Sequence, residues 1–405
     1  MVRLMRLLSV IGTLNPAYGG PVESLRQFSA NVARFGHDHE ILTLDNPNSP
    51  WLEEFPCVVN AVGSCLGNYR YSTKVDSWLL ENMNRFDAVI VRGIWQYQSF
   101  AVRRAAKSNG VPYFVFIHGA LDPWFKHHYP LKHFKKWLYW PWAEYRVLRD
   151  ATAVIFTSDE ERRLARESFW LYRANEAVVD YGISAPEGNP DAERELFYSA
   201  YPMLRGKQIL LFLSRLHAKK GCDLLIRAFA EVSQQNPALH LVMAGPDQDG
   251  WVARLTVISK SLGVHSRITW TGMLTGELKW GAFRAAEAFI LPSHSENFGV
   301  VVAEALACGL PVLITDKVNI WRAIEADGAG LVEPDTLEGI HDLLKWWLEM
   351  PITARQEMAE RAAMCFASRF EIHQAVKTLL EVIEPYVQKR LLPILDVNIN
   401  HRVDV

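Results

Sequence analysis

The sequence predicts an α/β protein built as two doubly wound, Rossmann-like parallel-sheet domains, and three observations carry that reading. Short apolar runs of strand length alternate with helical stretches along most of the chain. The runs fall into two series. Between the series lies "DYGISAPEGNPDAERE" (180–195), rich in Gly, Pro and charge, which is the composition of a linker. We therefore expect an N-terminal domain over 1–185, a second over 186–370, and a C-terminal helix and tail over 371–405 that packs back toward the N-terminal domain. Two such sheets joined by a hinge would bring their carboxyl ends to a shared cleft.

The first series reads "LMRLLSVIG" (4–12), "HEILTL" (39–44), "FDAVIVRG" (86–93), "PYFVFIHG" (112–119) and "ATAVIFTS" (151–158). "SDEE" then opens a helix, with Ser158 as N-cap and Glu161 closing a capping box. The second series reads "QILLFLSR" (208–215), "LHLVMAGP" (239–246), "RITWTG" (267–272), "AEAFILPS" (286–293) and "LPVLITD" (310–316). "VVVAEALACG" has helix length and ends in Gly309, a C-cap residue. Near the C-terminus, Ile372, Val376, Leu379, Leu380, Ile383 and Val387 form a helical stripe that must pack on something.

Composition narrows the function. With 405 residues and 49% hydrophobic content the chain can fill two cores. A net charge of −2 gives no global argument for nucleic acid. The five cysteines include no CxxC pair and fit reduced thiols of a cytoplasmic protein. No apolar run approaches the ~20 residues that span a bilayer. The start "MVRLMRLLSVIGTLNP" fits a first strand better than a signal peptide, so a soluble or peripheral protein is expected.

Charged residues then stand out at strand ends. In "HSENFGVVVAEALACG", Glu296 falls in a turn and Glu304 about a turn and a half into a helix whose other residues, Val300 to Cys308, are apolar. A carboxylate there lies on a narrow exposed strip or is buried with a partner. The "ENFG" amides at the helix start suit phosphate or sugar oxygens, although two surface glutamates fit the segment equally well. "SRLHAKKG" puts Arg215 at a strand end and Lys220 just before Gly221, suiting a diphosphate or, with equal weight, a solvated loop. Gly19 and Gly20 follow the first strand without GxGxxG spacing, and a simple turn accounts for them at least as well. His118 ends a strand, where a lone histidine is more often structural. Asp247 and Asp249 form a D-x-D pair, but Asp, Gly and Pro after a strand are ordinary turn residues, so no metal is expected.

Together, Glu296 and Glu304 with seven residues between them, "SRLHAKKG", the Gly-Gly turn and "HGALDPW" resemble the retaining glycosyltransferases of family four, which have the GT-B architecture. The resemblance covers most of the chain. It implies that Glu296 accepts hydrogen bonds from donor-sugar hydroxyls, with Asn297, Phe298, Gly299 and Val300 closing around the sugar and distal phosphate. Glu304 would hold the ribose, so that the ligand is its partner. Arg215 and Lys220, with Gly19 and Gly20, would stabilise the departing diphosphate without a metal or cofactor, Met273 would lie by the base, and His118 would contact the sugar or its leaving bond. "RGIWQY" and "HGALDPW" look most similar to members that build exopolysaccharides and lipid-linked glycans, with UDP-glucose the first donor expected ahead of other UDP-sugars and GDP-mannose. The Gly-Gly turn is shorter than the family's, and the last twenty residues match nothing in it. A nucleotide-sugar 2-epimerase and a non-catalytic sugar-nucleotide-binding protein are the competing readings.

One further segment, "WFKHHYPLKHFKKWLYWPWAEY" (124–145), interleaves aromatics with Lys126, Lys132, Lys135 and Lys136. That mixture favours an anionic bilayer interface, although a helix with aromatics turned inward beneath a basic face fits nearly as well.

Overall fold

The computed structural model describes residues 4–63, 65–124, 126 and 130–400, with 391–400 by backbone alone. The chain forms two compact units, Met1–Gly182 with Ile372–Val405, and Ile183–Glu371. The division falls at 182/183 and 371/372, inside and just past the boundaries read from composition.

The first unit holds a seven-stranded sheet in the order β3-β2-β1-β4-β5-β6-β7. Its strands are β1 (Arg6–Ile11), β2 (Asp38–Thr43), β3 (Val58–Ala61), β4 (Ala88–Arg92), β5 (Tyr113–Phe116), β6 (Ala153–Phe156) and β7 (Glu176–Val178). Every pairing is parallel, so the strands' carboxyl ends lie together at one edge, with Ile11 opposite Arg92 and Arg92 opposite Phe116. Alternation divides its core in two. Leu8, Val10, Val89, Val91 and Val115 meet the helix residues Val102 and Ala106, while Leu7, Ile11, Ile41, Ile90 and Phe114 meet Leu25 and Phe28.

The second unit holds a six-stranded parallel sheet in the order β10-β9-β8-β11-β12-β13. Its strands are β8 (Gln208–Leu213), β9 (Leu239–Ala244), β10 (Ile268–Gly272), β11 (Ala288–Leu291), β12 (Val312–Thr315) and β13 (Gly330–Glu333).

The ten predicted strands all form. β3, β7 and β13 had no counterpart in the reading, because each has only three or four residues and lies at a sheet edge, mostly half-buried, where alternation leaves little apolar signal. The C-terminal stripe of Ile372, Val376, Leu379, Leu380, Ile383 and Val387 is buried on the first unit's Leu7, Phe28 and Ile90 face, along a helix running from Ile372 to Asn400. The capping box needs correction. Ser158 Oγ accepts from the Glu161 amide at 3.1 Å, but Glu161 reaches past Ser158 to the Thr157 amide and hydroxyl and to the Gly119 amide. It ties the loop after β5 to the following helix instead.

Candidate functional site

In the second unit, β8 and β11 are neighbours, and the loops that follow them carry the charged motif. Gly221 brings the loops together: its φ is +62°, and a Cβ there would stand 2.0 Å from the Pro292 carbonyl oxygen. The His294 amide donates to the Lys219 carbonyl at 2.8 Å, locking the same approach. Consequently Lys220 Nζ donates to Glu296 Oε2 in an ion pair whose lysine side chain is only 8% exposed. Burial alone would push the Glu296 carboxyl up, but the Lys220 ammonium, aided by Lys219 and Arg215, holds it below its usual range. Glu296 is fixed by backbone as well, its amide donating to the Lys317 carbonyl at 2.9 Å and its carbonyl accepting from the Asn319 amide at 3.0 Å.

Glu304 lies on the apolar helix Val300–Ala307, where Lys279 Nζ stands 2.8 Å from its Oε1. Gly299 precedes that helix with φ +75°, and Val300 begins it half-buried. Phe298 is buried against the Phe370 ring, edge to face at 5.5 Å, and anchors the turn. Asn297 Oδ1 lies 3.5 Å from Asn319 Nδ2. Arg215 is exposed, with Nη1 3.3 Å from Gln248 Oε1, and Met273, after β10, is 69% exposed. Asp247 Oδ1 accepts from the Val252 amide at 3.1 Å, a turn-and-cap role, and no cluster of three His, Cys, Asp or Glu among the described residues is arranged for an ion.

The remaining predicted residues lie in the first unit. His118 follows β5 in the left-handed region with φ +50°, a conformation costly for a side chain and held here by the Gly119 amide donating to Glu161 Oε1 at 2.5 Å. Its ring stacks on Phe116 at 5.3 Å, and its Nε2 is buried with no hydrogen-bond partner among the described residues. Burial, with the Arg92 charge behind it, pushes its pKa down to about 3, so the ring is neutral at physiological pH. Gly19 has φ +70°, and Gly20 opens the helix Gly20–Asn31, where the Tyr181 hydroxyl donates to the Gly20 carbonyl.

The predicted set is therefore split. Glu296, Lys220, Arg215, Asn297, Phe298, Gly299, Val300, Glu304 and Met273 belong to the second unit, and His118, Gly19 and Gly20 to the first. Sequence reasoning missed Lys279 and Arg92, and gave Glu161 only a capping role. Of these, Arg92 had a signal, a cation ending the otherwise apolar strand "AVIVR".

Comparison with known proteins agrees with the two-part division. Residues 19–182 match the profile described as "Glycosyl transferase 4-like domain", and residues 200–364 match "Glycosyl transferases group 1". D-inositol 3-phosphate glycosyltransferase of Rhodococcus erythropolis is 29% identical over 59% of this chain, and the match spans 55% of that relative's length. Mannosylfructose-phosphate synthase of Agrobacterium fabrum is 30% identical over 44% of this chain and 40% of its own length. Anabaena HepE, solved with UDP and glucose, superposes with a TM-score of 0.72 at 17% identity, covering 94% of this chain and 99% of HepE, which is a likeness of fold.

Proposed function

The chain belongs to the group 1 glycosyltransferases of GT-B fold, and from that premise we propose that it moves a hexose, first of all glucose from UDP-glucose, onto a glycan or lipid-linked acceptor with retention of anomeric configuration. The observation that carries this reading is the buried Lys220–Glu296 pair on two neighbouring strand-end loops. A diphosphate brings the anion that Lys220 prefers, and the sugar brings the hydroxyl donors that Glu296 can accept. Arg215 adds a second cation at the same strand end. The anomeric carbon–oxygen bond breaks with its electron pair going to the phosphate oxygen, which then takes the acceptor hydroxyl's proton as the new glycosidic bond forms on the same face. Charge stabilisation of the departing diphosphate by Lys220 and Arg215 replaces a metal. His118, neutral, serves as a hydrogen-bond partner to the sugar or its leaving bond.

Release of nucleoside diphosphate across a panel of UDP- and GDP-sugars, with and without an isoprenyl-diphosphate glycan, tests the reading. UDP-glucose should turn over fastest, and only with acceptor present in amounts beyond slow hydrolysis. Conversion of the donor to its 2-epimer with no acceptor would replace transfer by epimerisation. Trapping a covalent glycosyl-enzyme with a slow fluorinated donor would overturn front-face attack. Activity should survive EDTA, and a strict manganese requirement would make Asp247 and Asp249 ligands.

The membrane element of the reading is sharpened by the helix Pro130–Tyr139, in which no residue is fully buried. Leu131, Phe134 and Leu138 are 81%, 58% and 54% exposed, beside exposed Lys132 and Lys135. Trp140 by contrast is core, stacked on Phe169 at 4.3 Å, and Lys136 sits over the Trp95 ring at 4.4 Å. Phe125, His127, His128 and Tyr129 lie outside the described residues. We assign the exposed apolar face with Lys132 and Lys135 to an anionic bilayer on the cytoplasmic side.

A further inference from the structure

The first unit contains a buried cation that has no part in the proposed transfer and no hydrogen-bond acceptor for two of its nitrogens among the described residues. Arg92 ends β4 and is only 4% exposed, and its Nε and Nη2 are buried with no hydrogen-bond partner among the described residues. The guanidinium of Arg103, by contrast, meets Asp150 at 2.5 Å. Arg92 has no such acid among the described residues. What holds it is aromatic: its guanidinium carbon lies 4.3 Å from the Phe116 ring centroid and 5.2 Å from that of Phe28. The charge persists, because burial lowers its pKa only to about 10. A buried cation without a counter-ion destabilises the empty fold, and rings alone replace little of its lost hydration.

Its surroundings point to what would complete it. Register places Arg92 at the carboxyl end of the sheet, opposite Ile11 and Phe116, where doubly wound sheets receive ligands. Phe28 belongs to the helix that Gly20 opens. His118 stacks on the same Phe116 ring and presents a second unpartnered buried nitrogen, Nε2. A permanent cation whose nitrogens lack acceptors, beside a neutral imidazole nitrogen without a partner, fits an anion with several oxygens.

We propose that Arg92 is an anion-binding residue of the first unit, receiving a phosphoryl oxygen of a substrate on guanidinium nitrogens that no protein group engages. Only the source of that oxygen rests on the transferase reading: the donor's diphosphate, or a phosphate or diphosphate on the acceptor. An Arg serves better than a Lys because its planar fork can remain stacked on Phe116 while its edge donates.

The test is calorimetric titration of the full chain with inorganic phosphate and with UDP, ionic strength held constant with chloride, in the parent, Arg92→Met and Arg92→Lys. Phosphate is also titrated in a Lys220→Ala background, so that the second unit's cation does not mask the first. Arg92→Met should weaken phosphate tenfold or more, and a phosphate constant within threefold of the parent's overturns the proposal. If Arg92→Met fails to fold, Arg92→Lys is read by the same threshold. UDP weakened by a similar factor assigns the oxygen to the donor, and UDP unchanged while phosphate is weakened assigns it to the acceptor. No turnover enters the measurement, so a failed transfer assay and a failed Arg92 assay are separate results.

Discussion

Lys220, in the loop after β8, and Arg92, the last residue of β4, belong to different sheets and are both nearly inaccessible, yet the protein treats them oppositely. Lys220 is paired with Glu296, whose carboxylate it keeps ionised. Arg92 has aromatic faces and no acid among the described residues. A paired cation is stable without ligand but must exchange its partner when an anion arrives, so part of the anion's binding energy goes into parting the pair. An unpaired cation is costly in the empty state and attracts an anion with nothing to displace. Glu144 shows a third treatment, a fully buried carboxyl that burial pushes up to about 8, so that at neutral pH it is mostly protonated. Arginine has no such escape, since its guanidinium keeps its proton.

Removing one member of the pair gives the largest effects. Glu296→Gln should lower transfer on the order of a hundredfold, the scale of a lost charge-assisted contact to the sugar. It should at the same time tighten UDP, because Lys220 then resembles Arg92, a buried cation with no counter-ion. Steady-state transfer and UDP titration on the same preparation check both signs; comparable turnover, or weaker UDP, would break the contrast between the two cations. Lys220→Ala should weaken UDP by about 1.5–3 kcal/mol and lower the melting temperature, since it strands the Glu296 carboxylate. Unchanged UDP affinity would place Lys220 outside the site.

How much of this was readable beforehand follows the same physics. Ten strands were legible because parallel strands buried on both faces write continuous apolar runs, and Lys220 and Glu296 were legible because charge at the end of such a run is conspicuous. Their mutual pairing was not legible, because it depends on Gly221 letting one loop lie on Pro292, 71 positions away in sequence. Lys279 was hidden for a like reason: nothing sets it apart on the helix Gly276–Ala285, and only the fold brings it to Glu304. Arg92 ends the apolar run "FDAVIVRG" in plain view, but its isolation from acids is a property of three dimensions. β3, β7 and β13 escaped because short edge strands carry little pattern.

Glu144 extends the comparison to pH. Its Oε1 accepts from the Trp95 amide at 3.1 Å and its Oε2 lies 3.5 Å from Ser99 Oγ, with Lys136 stacked on Trp95 nearby. The folded pKa of about 8 stands above the ordinary glutamate value of 4.5. The folded state therefore binds the proton more tightly than the unfolded one. The stabilisation is complete below about pH 4.5 and is lost as pH rises through 8. Between pH 5.5 and 7.5 the loss should be on the order of 2 kcal/mol. Melting curves over that range should slope downward in the parent and flatten in Glu144→Gln. A parallel slope in the two proteins would mean that Glu144 is ionised and paired, like Glu296.

The smallest effect concerns cations that are not buried at all. Lys132 and Lys135 lie exposed on a helix whose Leu131, Phe134 and Leu138 also face outward, so their charges are hydrated and weak toward soluble anions. Against a surface of many negative headgroups each contributes about 1 kcal/mol, and the apolar side chains can enter the interface between them. Lys136 is left out of this set, because its ammonium lies over Trp95 and burial lowers its pKa. The parent should sediment with vesicles containing phosphatidylglycerol at low salt and be released as salt rises. Lys132→Glu with Lys135→Glu should release it at low salt while leaving slow donor hydrolysis unchanged, whereas Lys136→Glu should instead lower the melting temperature. If the parent stays in solution with anionic vesicles at low salt, the exposed face serves something other than a bilayer and the acceptor is soluble.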